Sequence, residues 1–220
     1  MLPPARKSVS KQIVSHIMDG IRGGEYYVGQ RLPPEPDLLQ QWKISPASLR
    51  DAFKELETLG MITRKPRVGT IIQKFEPSRL FERCAGLLGH RPDLRGDVIQ
   101  MRTVVERALV PLVIENAEPS DWAGMQKVVE GMSVSANMEE FNRHDLVFHT
   151  HYYLATKNAL FIAMISILVD YFSSPNHLPQ EQFLLDRKRY TRRHADFLKS
   201  LKSGNIAEAT EYASVLPAVR

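Results

Sequence analysis

A change of period near residue 76 constrains this chain more than any other feature. Before it, short helical stripes give way to two β-prone runs. After it, every segment long enough to read is helical. Residues 10–23 place Ile13, Ile17 and Ile21 at i, i+4 and i+8 with Val14 alongside, an amphipathic helix closed by Gly23-Gly24. The segment from Tyr26 to Leu32 predicts a short extended piece ending in Pro33-Pro34. Pro36 suits the first turn of a second helix over 35–42, where a missing N–H costs nothing. Ser45 is the expected N-cap and Pro46 the first residue of a third helix, with Leu49, Phe53 and Leu56 as its buried stripe and Gly60 as its end. Residues 61–64 and 68–72 then read as a hairpin whose tip is Lys65-Pro66-Arg67.

Beyond the Phe75 to Ser78 linker, helices are expected near 79–89, 97–117, 120–135, 137–156, 159–173, 179–203 and 205–215, with Ser120 capping the third of these. No period of 20–50 residues recurs, so this part is a bundle and not a solenoid. The expected fold is mainly α. Residues 1–76 form a winged helix-turn-helix of three helices and a β-hairpin wing, and residues 77–220 an antiparallel all-α bundle.

Composition narrows the class. With 43% hydrophobic and 25% charged residues in 220, the chain is too apolar to be disordered. Its longest apolar run, Leu160 to Val169, falls far short of the roughly 18–20 residues a membrane span needs. The first residues lack the apolar core of a secretion signal. The single cysteine, Cys84, cannot form an internal disulfide; a reducing cytoplasm is expected, with Cys84 as a small buried hydrophobe. The net charge of +4 is localised: residues 1–76 hold 12 Lys and Arg against 8 Asp and Glu, the remainder 17 against 17. A basic small module beside a neutral one fits polyanion binding joined to a second task.

In a winged helix-turn-helix the third helix enters the major groove. The candidate base-reading set is therefore Ser45, Ala47, Ser48, Arg50 and Lys54, with Arg50 the long donor suited to guanine. Arg64, Lys65, Arg67 and the Gly69-Thr70 backbone would place the wing against phosphate or the minor groove. The competing reading makes Arg50 and Lys54 a solvated helix face.

The stretch GEYYVGQRLPPEPDLLQQWKISPASLRDAFKELETLGMITRKPRVGTII resembles the GntR-family winged-helix domain, whose pattern runs G-x-x-x-x-G-x-x-L-P-x-E-x-x-L, then L-R-x-A-x-x-x-L, G-x-I and a wing G-T. The resemblance gives base-contacting roles to Ser45, Ser48 and Arg50, with Gly69 in the wing. Pro36 and Pro46 stand where the family often has arginine, which removes two guanidinium contacts worth roughly 1–3 kcal/mol each.

In the second module Asp145 and His149 sit four apart on one helix, close enough to share a metal ion. By spacing alone, a solvated face is the ordinary alternative. The run D-L-V-F-H, the string H-x-x-F-L-x-S-L-K-x-G-N from His194 and the R-x-x-x-E helix at Arg102–Glu106 resemble the FCD effector domain of the FadR-type branch. That resemblance implies a divalent metal, zinc or nickel, held by Asp145, His149 and His194. The family's fourth histidine position carries Leu216, which leaves a three-ligand site or a cavity that keeps the residues without the metal. Arg102 would anchor an effector carboxylate; its alternative is a salt bridge to Glu106 one turn on. His144 and His151 are expected on a different face, at the periphery or an interface.

The leading expectation is a homodimeric, non-enzymatic transcriptional regulator, a repressor, that reads an inverted-repeat operator in double-stranded DNA and responds to a small organic acid, away from any membrane. The alternatives are a metal-dependent hydrolase using Asp145, His149 and His194, and a DNA-binding protein whose helical part only dimerises.

Overall fold

The computed structural model describes residues 8–88, 91–172 and 180–213. The chain divides into two compact units, Met1–Arg79 and Leu80–Arg220.

The first unit holds helices α1 (Val9–Gly23), α2 (Glu35–Trp42) and α3 (Pro46–Thr58), followed by strands β1 (Ile62–Lys65) and β2 (Gly69–Ile72). Local chemistry explains each boundary. Gly24, left-handed at φ 79°, ends α1. Pro36 and Pro46 lie in the first turns of α2 and α3, and Ser45 caps α3 by accepting the Ser48 N–H at 3.1 Å. The apolar stripe of α1 (Ile13, Val14, Ile17) packs against Leu49, Ala52, Phe53 and Leu56 of α3. Full burial of such side chains stabilises by about 1.5–3 kcal/mol each. Strands β1 and β2 pair antiparallel in the register Ile62↔Ile72 to Lys65↔Gly69. The expected extended piece from Tyr26 to Leu32 is mostly turn. Only its end runs beside β2, through an isolated Arg31↔Ile71 bridge.

The second unit is helical: α4 (Pro77–Leu88, which straddles the division), a 3-10 turn at Pro92–Leu94, α5 (Arg95–Asn116), α6 (Pro119–Val134), α7 (Met138–Ala155), α8 (Ala159–Phe172), α9 (Gln180–Lys202) and α10 (Ile206–Tyr212). Its core joins Val110, Val113, Met125, Met132, Phe148, Tyr152, Phe197 and Leu201. Helices α6 and α7 run antiparallel: Gly124 faces His151 and Gly131 faces His144, each so closely that a Cβ on the glycine would lie 2.6 Å from the ring. His144 and His151 therefore fill the α6–α7 seam, and His144 Nδ1 also meets Ser135 Oγ at 3.0 Å.

Two expectations change. Cys84 is exposed, because Ala85 takes the buried position in that turn of α4. The cap of α6 is Glu118, with Pro119 at the first position, and not Ser120. The Leu160–Val169 run is part of the 14-residue α8, and no helix among the described residues is long and apolar enough to cross a membrane.

Candidate functional site

On the first unit, α3 presents Ser45, Ala47, Arg50 and Lys54 to solvent, with Ser48 half-buried beside them. Helical period dictates this face, since Leu49, Ala52, Phe53 and Leu56 occupy the opposite one. The Ser45 hydroxyl is engaged in capping and lies 2.9 Å from Ser48 Oγ. In the wing, Lys65 and Arg67 are exposed, and Arg67 sits at φ 62° in the tight tip. The hairpin does not bring Arg64 to the same place: its Nε and Nη2 donate to Glu57 Oε2 of α3 at 3.3 and 3.0 Å. Thr70 is buried, and its carbonyl accepts the Leu32 N–H at 2.8 Å, so among that pair Gly69 alone remains half-open.

In the second unit three helices converge on one polar centre inside an apolar bundle. Helix α5 contributes Arg102 and Glu106, α7 contributes Asp145 and His149, and α9 contributes His194. Each of the first two pairs is spaced i, i+4, which stacks both side chains on one face. Arg102 Nε donates to Glu106 Oε1 at 3.0 Å, and its Nη2 reaches Asp145 Oδ2 at 3.4 Å. His194 Nε2 lies 3.0 Å from Asp145 Oδ1 and His149 Nε2 3.6 Å from the same oxygen. Behind them, His194 Nδ1 meets the Tyr190 carbonyl at 2.9 Å. His149 Nδ1 lies 2.9 Å from Glu106 Oε1, an ion-pair approach without hydrogen-bond alignment. The Tyr152 hydroxyl donates to the Glu106 carbonyl at 2.6 Å, which ties α7 to α5.

This donor set has room for a cation. A carbonyl and a carboxylate only accept, so both Nδ1 atoms are placed to carry protons. A neutral imidazole then turns a bare Nε2 lone pair toward the bare Asp145 oxygen. Either a proton on each ring or a metal ion at their meeting point removes that repulsion. Ligand atoms of Asp145, His149 and His194 all lie within 4.8 Å of one another, so the three residues fit a single divalent ion. Leu216 lies outside the described residues.

The charges tell the same story. Burial alone would push the Asp145 carboxyl up, but the Arg102 guanidinium, followed by His149, holds it well below the carboxylate range. Glu106 is likewise lowered against its burial by Arg102 and His149. Burial and then Arg102 would lower His149, yet Glu106 and Asp145 outweigh them and raise it. Burial, and next the Glu106 charge, raise the Tyr152 and Tyr153 phenols, which stay neutral.

Of the two readings of Arg102, the salt bridge to Glu106 is present, with Asp145 as an additional partner. Glu106 itself was legible only as that partner; its approach to His149 joins two helices and has no local signature. Arg31, whose guanidinium lies over Gly69, carried no signal beyond its charge.

Residues 9–72 match the family model described as bacterial regulatory proteins of the gntR family, and residues 97–215 match the FCD domain. The chain is 28% identical over 178 residues to a protein described as an uncharacterized HTH-type transcriptional regulator, YcbG of Bacillus subtilis, covering 80% of this chain and 75% of that one. It is 23% identical over 195 residues to the HTH-type transcriptional regulator LutR of Bacillus subtilis, covering 86% and 89%. With the HTH-type transcriptional repressor NanR of Klebsiella aerogenes it shares 27% identity over 194 residues, covering 83% and 72%. A solved structure described as Streptococcus agalactiae GntR shares the fold, with a TM-score of 0.63 and 18% identity over 93% of this chain and 94% of that one.

Proposed function

The chain belongs to the GntR family of bacterial regulatory proteins and carries an FCD domain, and from that premise we propose that it is a DNA-binding transcriptional regulator whose second unit senses a small carboxylate. The observation that carries the reading is the pairing of two sites in one chain: an exposed, basic α3 face beside an exposed wing tip, and a buried Asp–His–His centre in a helical bundle. Ser45, Ala47, Ser48, Arg50 and Lys54 read the major groove, while Lys65, Arg67 and Gly69 meet the backbone. A homodimer places two α3 helices on an inverted repeat. The division at Arg79 supports assigning these tasks to separate modules at 1–76 and 77–220.

Asp145, His149 and His194 would hold the metal, and Arg102 stands behind Asp145 to steer an incoming carboxylate. The ion when bound would supply an open, electrophilic coordination position for a ligand oxygen. The remaining work belongs to the chain: Glu106 and the Tyr190 carbonyl fix the imidazole orientations, and the Phe148 and Phe197 rings exclude water from one side.

Operator selection from a random duplex library, followed by gel shifts, tests the reading. Arg50→Ala is expected to lose about 1–3 kcal/mol per half-site on the selected sequence and little on random DNA. An Arg50→Ala protein that keeps its preference for the selected operator removes Arg50 from the reading role.

A further inference from the structure

Alternation along the hairpin sorts its basic side chains into two sets. Successive strand residues point to opposite faces. The register pairs Thr70 with Arg64 and Ile72 with Ile62, so Arg64 projects from the inner face, stays exposed at its rim and turns back to Glu57. Lys65 pairs with Gly69 and Thr63 with Ile71, and these four share the outer face.

Arg31 joins that outer face from the other side of β2. It bridges Ile71, and its backbone is pinned by two flanking hydrogen bonds: Leu32 N–H to Thr70 O at 2.8 Å, and Ile72 N–H to Gln30 O at 2.9 Å. Gly69 lies two residues along from Ile71, within diagonal reach. It has φ +101°, and a Cβ there would come within 2.7 Å of Arg31 Nε and 3.2 Å of Nη2. The guanidinium thus lies over bare glycine backbone, with Lys65 paired across the strand. Among the described residues, no acidic side chain pairs with Arg31 or Lys65, whereas Arg64 beside them is paired with Glu57.

Two cations without a carboxylate partner meet at Gly69, where no side chain separates them from an incoming anion, while Glu35 and Glu57 line the groove with Arg64 and Lys65. A planar guanidinium suits a phosphate oxygen pair. We propose that Arg31 is a phosphate-binding residue of the DNA interface, gripping a backbone phosphate over Gly69 together with Lys65. The proposal rests on the DNA-binding reading and extends the interface beyond α3 and the hairpin to the segment that precedes α2. It returns a guanidinium contact to a chain that has proline at positions 36 and 46.

The test is fluorescence anisotropy of the full-length protein on random-sequence duplexes over a salt series, with melting curves alongside. A lost phosphate contact flattens the slope of log affinity against log salt by about 0.9 per protomer. Arg31→Gln is expected to show that flattening, with affinity reduced alike on every sequence, and Arg31→Lys to keep the wild-type slope because it keeps the charge. An unchanged slope in Arg31→Gln overturns the proposal. An equal fall in both variants, with a lowered melting temperature, also overturns it, because that marks damage to the wing and not a lost contact. Wild-type protein that binds no duplex overturns the regulator reading itself, which separates the two failures.

Discussion

Glu106 is buried with one of its oxygens shared between two partners, the Arg102 guanidinium and the His149 ring. Oε1 accepts from Arg102 Nε at 3.0 Å and faces His149 Nδ1 at 2.9 Å. With the proton on Nδ1, this carboxylate would leave Nε2 free toward Asp145, the arrangement in which a carboxylate behind a metal-binding histidine raises ligand basicity. Glu106→Gln keeps the shape but presents an amide with no charge, and the ring is no longer held in one tautomer. Cobalt affinity, followed by visible absorption, is expected to fall about 10–100-fold. Arg102 retains Asp145 in that variant, so the fold survives with reduced stability, which a melting curve reports separately. A Glu106→Gln protein that binds cobalt as tightly as wild type shows that Glu106 does not position His149. The Arg102–Glu106 pair was readable from its i, i+4 spacing. The His149 contact was not, because nothing in a linear pattern says which faces of α5 and α7 meet.

At the scale of elements, the start of α6 shows how a connection can be locked from outside. Asp121, one turn into α6, accepts the Glu118 N–H at 2.9 Å and the Lys157 Nζ at 2.7 Å. Lys157 lies in the link between α7 and α8, so one carboxylate ties three helices together. Burial would raise Asp121, but the hydrogen bond from Lys157, then the Glu118 N–H, lower it below its ordinary value. A depressed carboxylate stabilises the fold above the unfolded value of about 3.9, and that stability is lost as pH falls through the folded value. Asp121→Asn is expected to cost about 1 kcal/mol at neutral pH, after allowing for the partly solvated lysine. In urea unfolding, the difference from wild type should shrink below about pH 4. A difference that stays constant with pH rules out the charge as its source. Helix ends of this kind explain what was legible. Ser45-Pro46 carries local chemistry, and Ser45 caps where the pattern indicated. The Tyr26 to Leu32 segment misled because β2 offers backbone partners only from Gly29 onward, and the residues before it form turns. Cys84 misled because a lone cysteine within an amphipathic helix does not reveal that Ala85 takes the inner position.

For the molecule as a whole, the proposed sensing turns on the buried charge of the second unit. The centre holds one guanidinium against two carboxylates, Glu106 and Asp145, and is one charge negative when both imidazoles are neutral. A carboxylate effector would add a second negative charge to a site removed from water, where an uncompensated ion costs several kcal/mol. Arg102 cannot offset it alone, since both resident carboxylates already use it. A divalent ion held by Asp145, His149 and His194 would turn the centre one charge positive and complement a monocarboxylate. Sensing is therefore expected to depend on metal. In a thermal-shift panel of small carboxylates, the stabilisation seen with cobalt or zinc present should vanish after chelation and return when metal is restored. A carboxylate that stabilises the chelated protein as strongly as the loaded one breaks this link. The same linkage reaches the DNA-reading unit. If the carboxylate changes duplex affinity by some factor, then saturating duplex must change carboxylate affinity by that factor, because both measure one coupling free energy. Anisotropy gives the first quantity and calorimetric titration of the preformed complex the second. Unequal factors would mean that the effector acts on something other than this equilibrium, such as the number of protomers on the DNA.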